Sequence, residues 1–147
     1  EIMIGVGTVT DPIEFGRAQE GGARFAISPG LRPGLAAAAK EAGMPYLPGV
    51  ATASEIMEAV ELGFHHLKFF PAEAEGGAAL LKTLAGPFPG VRFCPTGGIN
   101  MQNMARYLKL SNVVSVGGSW IAPQSDIAAG NWEAVTERAR ESLARVP

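Results

Sequence analysis

Short apolar runs alternate along this chain with stretches in which apolar residues recur every three or four positions. Residues 2–9 are apolar and β-branched up to a polar stop, which predicts a strand buried on both faces. A helix start follows: Asp11 as N-cap, Pro12 at the first helical position, Glu14 three residues after the cap and Gly21-Gly22 as the stop. Residues 23–28 read as the next strand, ended by Pro29-Gly30, and the alanine-rich run 35–42 as a helix ended by Gly43. A third strand is expected over 44–50, weakened by prolines that cannot donate to a ladder.

Thr52 and Glu55 form a capping box for a helix carrying Ile56, Met57 and Val60 at helical spacing before Gly63. The run His66-Leu67-Lys68-Phe69-Phe70 predicts a buried strand stopped by Pro71. After the Gly76-Gly77 turn comes a helix through Ala78, Leu81 and Leu84. A strand over 91–96 then ends in Gly97-Gly98, and Asn100 caps a helix that runs to Lys109. Residues 113–116 give the last strand, ending in Gly117-Gly118-Ser119. A long amphipathic helix over 131–145 is expected to bury Trp132, Val135 and Leu143.

Strand and helix therefore alternate throughout, which argues for a parallel sheet with helices on its faces. The strand ends marked by Thr8, Ser28, Gly49, Lys68, Thr96 and Ser119 lie 20, 21, 19, 28 and 23 residues apart. That near-even spacing, with no G-x-G-x-x-G after any strand, favours a (β/α)8 TIM barrel over a doubly wound sheet. The 147 residues read as one barrel domain, 1–147, with about six of the eight strand-helix units. Barrels of this kind usually run to about 250 residues, and six strands leave two unpaired edges. Two N-terminal units are therefore expected to be missing from this sequence, or to have been removed by an engineered truncation.

Barrel chemistry sits at the C-terminal strand ends, which makes Lys68 the first candidate. An ammonium buried in an apolar strand has a depressed pKa, and the free amine is the nucleophile that forms a Schiff base with a carbonyl. The other reading is an exposed lysine, or one whose stem snorkels to solvent. Gly97-Gly98 and Gly117-Gly118-Ser119 follow the last two strands. There, backbone N–H groups and a helix N-terminus can hold a phosphate, or the glycines can serve only to make tight turns.

Composition narrows these options. A net charge of −2 gives no reason to expect a nucleic-acid or anionic-membrane partner. One cysteine, Cys94, excludes an internal disulfide and fits a reducing, cytoplasmic setting. His65 and His66 are adjacent, so on a strand they face opposite sides and cannot chelate one metal; no metal site is expected. Cys94 reads as a small core residue, Glu73 as loop or capping structure, Trp120 and Trp132 as packing or subunit contacts. Arg138, Arg140 and Arg145 read as a solvated helix face.

The motifs Gly7-Thr8-Val9, Phe25-Ala26-Ile27-Ser28-Pro29-Gly30, Pro48-Gly49, Lys68-Phe69-Phe70-Pro71-Ala72-Glu73 and Gly86-Pro87-Phe88 resemble the 2-keto-3-deoxy-6-phosphogluconate (KDPG) aldolase family. So do Arg92-Phe93-Cys94-Pro95-Thr96-Gly97-Gly98-Ile99 and Gly117-Gly118-Ser119-Trp120, and the match runs over essentially the whole chain. The resemblance implies a trimeric, cytoplasmic class I lyase of the Entner–Doudoroff pathway that needs no cofactor. Such an enzyme cleaves KDPG, a phosphorylated keto acid, to pyruvate and glyceraldehyde 3-phosphate, often with activity on 4-hydroxy-2-oxoglutarate. It implies Lys68 as the Schiff-base lysine, Thr8 as partner of the substrate carboxylate, and Pro29, Phe70 and Thr96 as walls of the pyruvate pocket. Gly97, Gly98, Gly118 and Ser119 resemble the family's phosphate site. The family's acid/base glutamate and carboxylate-binding arginine lie on an upstream strand that this sequence lacks. Two alternatives stay open: another phosphosugar-binding TIM-barrel enzyme, and a truncated or engineered non-catalytic trimeric scaffold.

Overall fold

The computed structural model describes residues 2–147. Its strands are β1 (Ala26–Ile27), β2 (Tyr46–Leu47), β3 (Gly49–Val50), β4 (His66–Phe69) and β5 (Arg92–Pro95). Its helices are α1 (Ile13–Glu20), α2 (Pro33–Glu41), α3 (Ala53–Glu61), α4 (Gly77–Leu84), α5 (Met104–Leu108), α6 (Gln124–Ala129) and α7 (Trp132–Leu143). Every pairing is parallel and joins neighbours in chain order: Val6 to Ala26, β1 to β2, β3 to β4, β4 to β5, then Phe93 to Val113 and Thr96 to Gly117. Six successive strand positions with intervening helices make a partial (β/α) barrel.

Pro48 explains the one break in that succession. The expected strand 44–50 is present, but its first half pairs backwards with β1 and its second half forwards with β4. Between them Pro48 has no N–H to donate, while its carbonyl accepts the Lys68 N–H at 2.8 Å. Two cores follow from this division. The smaller gathers Val9, Phe15, Ala26, Leu35, Ala39 and Met44, and the larger is centred on Leu67, Phe69, Leu81, Phe93 and Tyr107.

Local signals set the starts of α1 and α3. At α3 the Thr52 hydroxyl accepts the Glu55 N–H, and the Glu55 carboxylate accepts the Ala51 and Thr52 N–H groups at 2.7 and 2.8 Å. Burial pushes the Glu55 pKa up, but these hydrogen bonds outweigh it and hold the carboxyl below its usual range. At α1 the Asp11 carboxylate accepts the Ile13 N–H at 3.0 Å, and Glu14 accepts from Thr10 and Asp11, so the expected capping contacts are present with Asp11 one residue ahead of the N-cap position, Pro12. Asn100 caps a turn at 101–103, and the regular helix begins only at Met104.

Several expected core positions lie elsewhere. Residues 2–9 form no regular strand; among the described residues they pair along one edge, through Val6 and Val9 to Phe25 and Ile27, and Ile2, Met3 and Ile4 are exposed. Met57 faces solvent because the buried stripe of α3 runs through Ile56 and Ala59. On α7, Trp132 and Leu143 are exposed and the buried residue is Ser142. Arg138 is not on a solvated face, since its guanidinium pairs with Asp126 and donates to the Ile121 carbonyl at 3.4 Å.

Candidate active site

Alternation along β4 decides which side chains can react. Leu67 and Phe69 point outward into the larger core and are fully buried, so Lys68 and Phe70 share the opposite face. Lys68 is only 9% exposed, and its Nζ lies 4.2 Å from the centre of the Phe70 ring. Burial pushes its ammonium below the ordinary lysine range, and the neighbouring Cys94 opposes this only in part. Of the two sequence readings, the buried one holds.

Strand register completes the row. Lys68 stands opposite Gly49 on β3 and Cys94 on β5, so the three residues lie level on one face of the sheet. Cys94 is half-buried beside the lysine, not in the core as expected, because Phe93 and Pro95 take the outward positions of β5. Gly49 is required by close approach: a Cβ there would fall 2.2 Å from the Pro29 carbonyl oxygen. That contact brings Pro29 to the edge of the lysine row. Ser28, fully buried, fixes the Pro29-Gly30 turn by donating to the Gly30 carbonyl at 2.7 Å and bonding the Tyr46 hydroxyl at 2.6 Å.

Beyond the row, the strand ends surround an open cleft of about 630 Å³ lined by Gly7, Thr8, Thr96, Gly97, Gly98, Ile99, Gly118 and Ser119. Six of the nine sequence-predicted site residues meet here, while Lys68, Phe70 and Pro29 belong to the row below. Thr96 joins the two: it follows Cys94 by two residues on β5's inward side and is bridged to Gly117. Thr8 adopts φ 61°, an uncommon conformation for a β-branched residue that costs on the order of 1–3 kcal/mol and is held by the hydrogen bonds of its neighbours.

The cleft is suited to an anion through its backbone. Among the described residues, the N–H groups of Gly98, Gly118 and Ser119 donate to no protein acceptor. Gly98 has φ 76°, and a Cβ there would meet the Glu73 side chain at 2.7 Å. Glu73 is itself engaged by Arg106 and Tyr107, so it ties the loop after β4 to α5 and is turned away from proton transfer. The helix after Gly97-Gly98 starts too late and is too short to supply a dipole; the loop's own N–H groups carry the attraction. No three His, Cys, Asp or Glu residues come together to hold a metal among the described residues, and no helix is long and apolar enough to cross a membrane.

Sequence reading missed the place of Cys94, which looks like core filling and which only strand register sets beside Lys68; it marked Ser28 as a strand end but not its hydrogen bonds to the turn.

A desolvated amine set level with a small polar row, under an anion-adapted cleft at the C-terminal strand ends, defines a barrel enzyme of the lysine-nucleophile class. Comparison with known proteins agrees. The family model for KDPG and KHG aldolase matches residues 1–138, and the chain belongs to that family of lyases. It is 47% identical over 144 residues to the 2-dehydro-3-deoxy-phosphogluconate aldolase of Pseudomonas aeruginosa, covering 98% of this chain and 66% of that one. It is equally identical over 143 residues to the KHG/KDPG aldolase of Escherichia coli K12, covering 97% of this chain and 67% of the relative. Among solved structures, KDPG aldolase from Legionella pneumophila, with pyruvate captured as a covalent carbinolamine, superposes with a TM-score of 0.91 at 48% identity. That match covers all of this chain and 70% of the other. The chain thus spans about two thirds of the length of the relatives it matches.

Proposed function

We propose that this protein is a class I aldolase that cleaves KDPG to pyruvate and glyceraldehyde 3-phosphate through a Schiff base on Lys68. The observation that carries the reading is the desolvated Lys68 amine, level with Gly49 and Cys94 and next to the glycine-lined cleft. In the uncharged form its lone pair attacks the C2 ketone to give a carbinolamine, and loss of water leaves an iminium. A base takes the C4 hydroxyl proton, the C3–C4 electron pair moves into the iminium, and the aldehyde departs. Protonation of the enamine at C3 and addition of water then release pyruvate and restore the lysine.

In this reading Pro29, Phe70 and Thr96 wall the three-carbon end and Thr8 meets its carboxylate. Gly97, Gly98, Gly118 and Ser119 hold the phosphate. The family resemblance offers no counterpart in this sequence for the proton-transfer carboxylate. Among the described residues no carboxylate acts on the Lys68 charge. Family resemblance also supports a second activity on 4-hydroxy-2-oxoglutarate and a homotrimer working in the Entner–Doudoroff pathway in the cytoplasm.

Borohydride reduction in the presence of pyruvate, followed by peptide mass mapping, tests the reading. A reduced pyruvate adduct is expected on Lys68 and absent from Lys68→Met. A folded protein that forms no adduct would overturn it in favour of another phosphosugar barrel enzyme or a non-catalytic scaffold.

A further inference from the structure

One buried polar residue outside the reacting row has no part in the chemistry above. Ser142 is 4% exposed on α7, a helix whose neighbouring Leu143 is 74% exposed. Its Oγ accepts the indole N–H of Trp120 at 2.9 Å. The indole in turn abuts the second glycine loop: a Cβ built on Gly118 would fall 2.0 Å from the ring and 3.0 Å from the Ile99 carbonyl oxygen. Gly118 and Ser119 line the cleft. The same helix holds the connecting segment through Arg138, which pairs with Asp126 and donates to the Ile121 carbonyl.

A glycine pair has more backbone freedom than any other dipeptide, and ordering it on binding costs affinity. A rigid indole seated on the loop before a ligand arrives lowers that cost, provided the indole itself is fixed. Its partly buried N–H finds its acceptor in Ser142, which is itself buried. We propose that Ser142, acting through Trp120, is a positioning residue for the anion cleft and sets the affinity for the phosphorylated end of the substrate. The proposal rests on the reading that this cleft takes phosphate. Ser142 touches no reacting atom, so its effect falls on binding and not on the covalent step.

The test compares the protein carrying this sequence with its Ser142→Ala, Ser142→Thr and Trp120→Phe variants. It measures KM for KDPG, the inhibition constant of inorganic phosphate, kcat, and the rate of borohydride-trapped pyruvate adduct. Loss of this partly buried hydrogen bond predicts a rise of about three- to tenfold in KM and in the phosphate constant for Ser142→Ala and Trp120→Phe. Adduct formation and kcat are expected to stay within about twofold, and Ser142→Thr, which keeps the hydroxyl, to match the parent. If phosphate inhibits the parent and the Ala variant equally, Ser142 has no positioning role. An equal loss of KDPG binding and pyruvate adduct would also overturn it, since it would mark general destabilisation. A parent insensitive to phosphate would overturn the cleft reading itself, and this inference with it.

Discussion

Residues 2–9 and strand β4 are both apolar runs, and they fare differently. In β4, Leu67 and Phe69 are fully buried, and the strand has a parallel neighbour on each side. In the first run, Ile2, Met3 and Ile4 are 88%, 67% and 69% exposed, and hydrogen bonds reach one neighbour only. Among the described residues, the difference lies in what surrounds each run. An apolar segment becomes a buried strand when ladders and helices cover both its edges and its outward face, and sequence alone records only the first requirement. The proposed chemistry follows the same division: Lys68, the nucleophile of the proposed reaction, is on the doubly paired strand, where burial strips its water.

Several measurements would break or sharpen this contrast. Phe93→Ala, in the doubly paired half, opens a cavity where a fully buried ring packs at an edge-on angle to Phe69. A loss of about 3–5 kcal/mol is expected in urea unfolding, and a loss below 1 would show that this core is not the stable half.

Lys68→Met tests the cost of burying the ammonium. Folding depresses the pKa of Lys68, so between its folded value and about 10.4 the unfolded chain binds more protons and the parent gains stability as pH rises. Below that window the full penalty is present. Thermal unfolding should therefore favour Lys68→Met at pH 7, with the gap closing by pH 10. A gap that widens with pH would remove desolvation as the cause.

A smaller effect belongs to Thr52→Ala, which strips the hydroxyl that accepts the Glu55 N–H at the start of α3. Chemical denaturation should register a loss of about 1 kcal/mol, and no change would mean that Glu55 alone holds the cap.

What the sequence determined by itself was everything encoded within a few residues: the alternation of strand and helix, the Thr52–Glu55 capping box, the strand that carries Lys68, and the glycine ends of the last strands. These depend on backbone preferences and on side chains three or four positions apart, which a single pass along the chain can see. Tertiary structure alone decided that Cys94 stands level with Lys68, that Pro48 divides its strand between two partners, and that Ser28 locks the Pro29 turn. It also decided that Ser142, and neither Trp132 nor Leu143, is the buried residue of α7. Each of these depends on register or packing between segments distant in sequence. A one-residue slip in register would exchange the two faces of a strand while leaving its local pattern untouched.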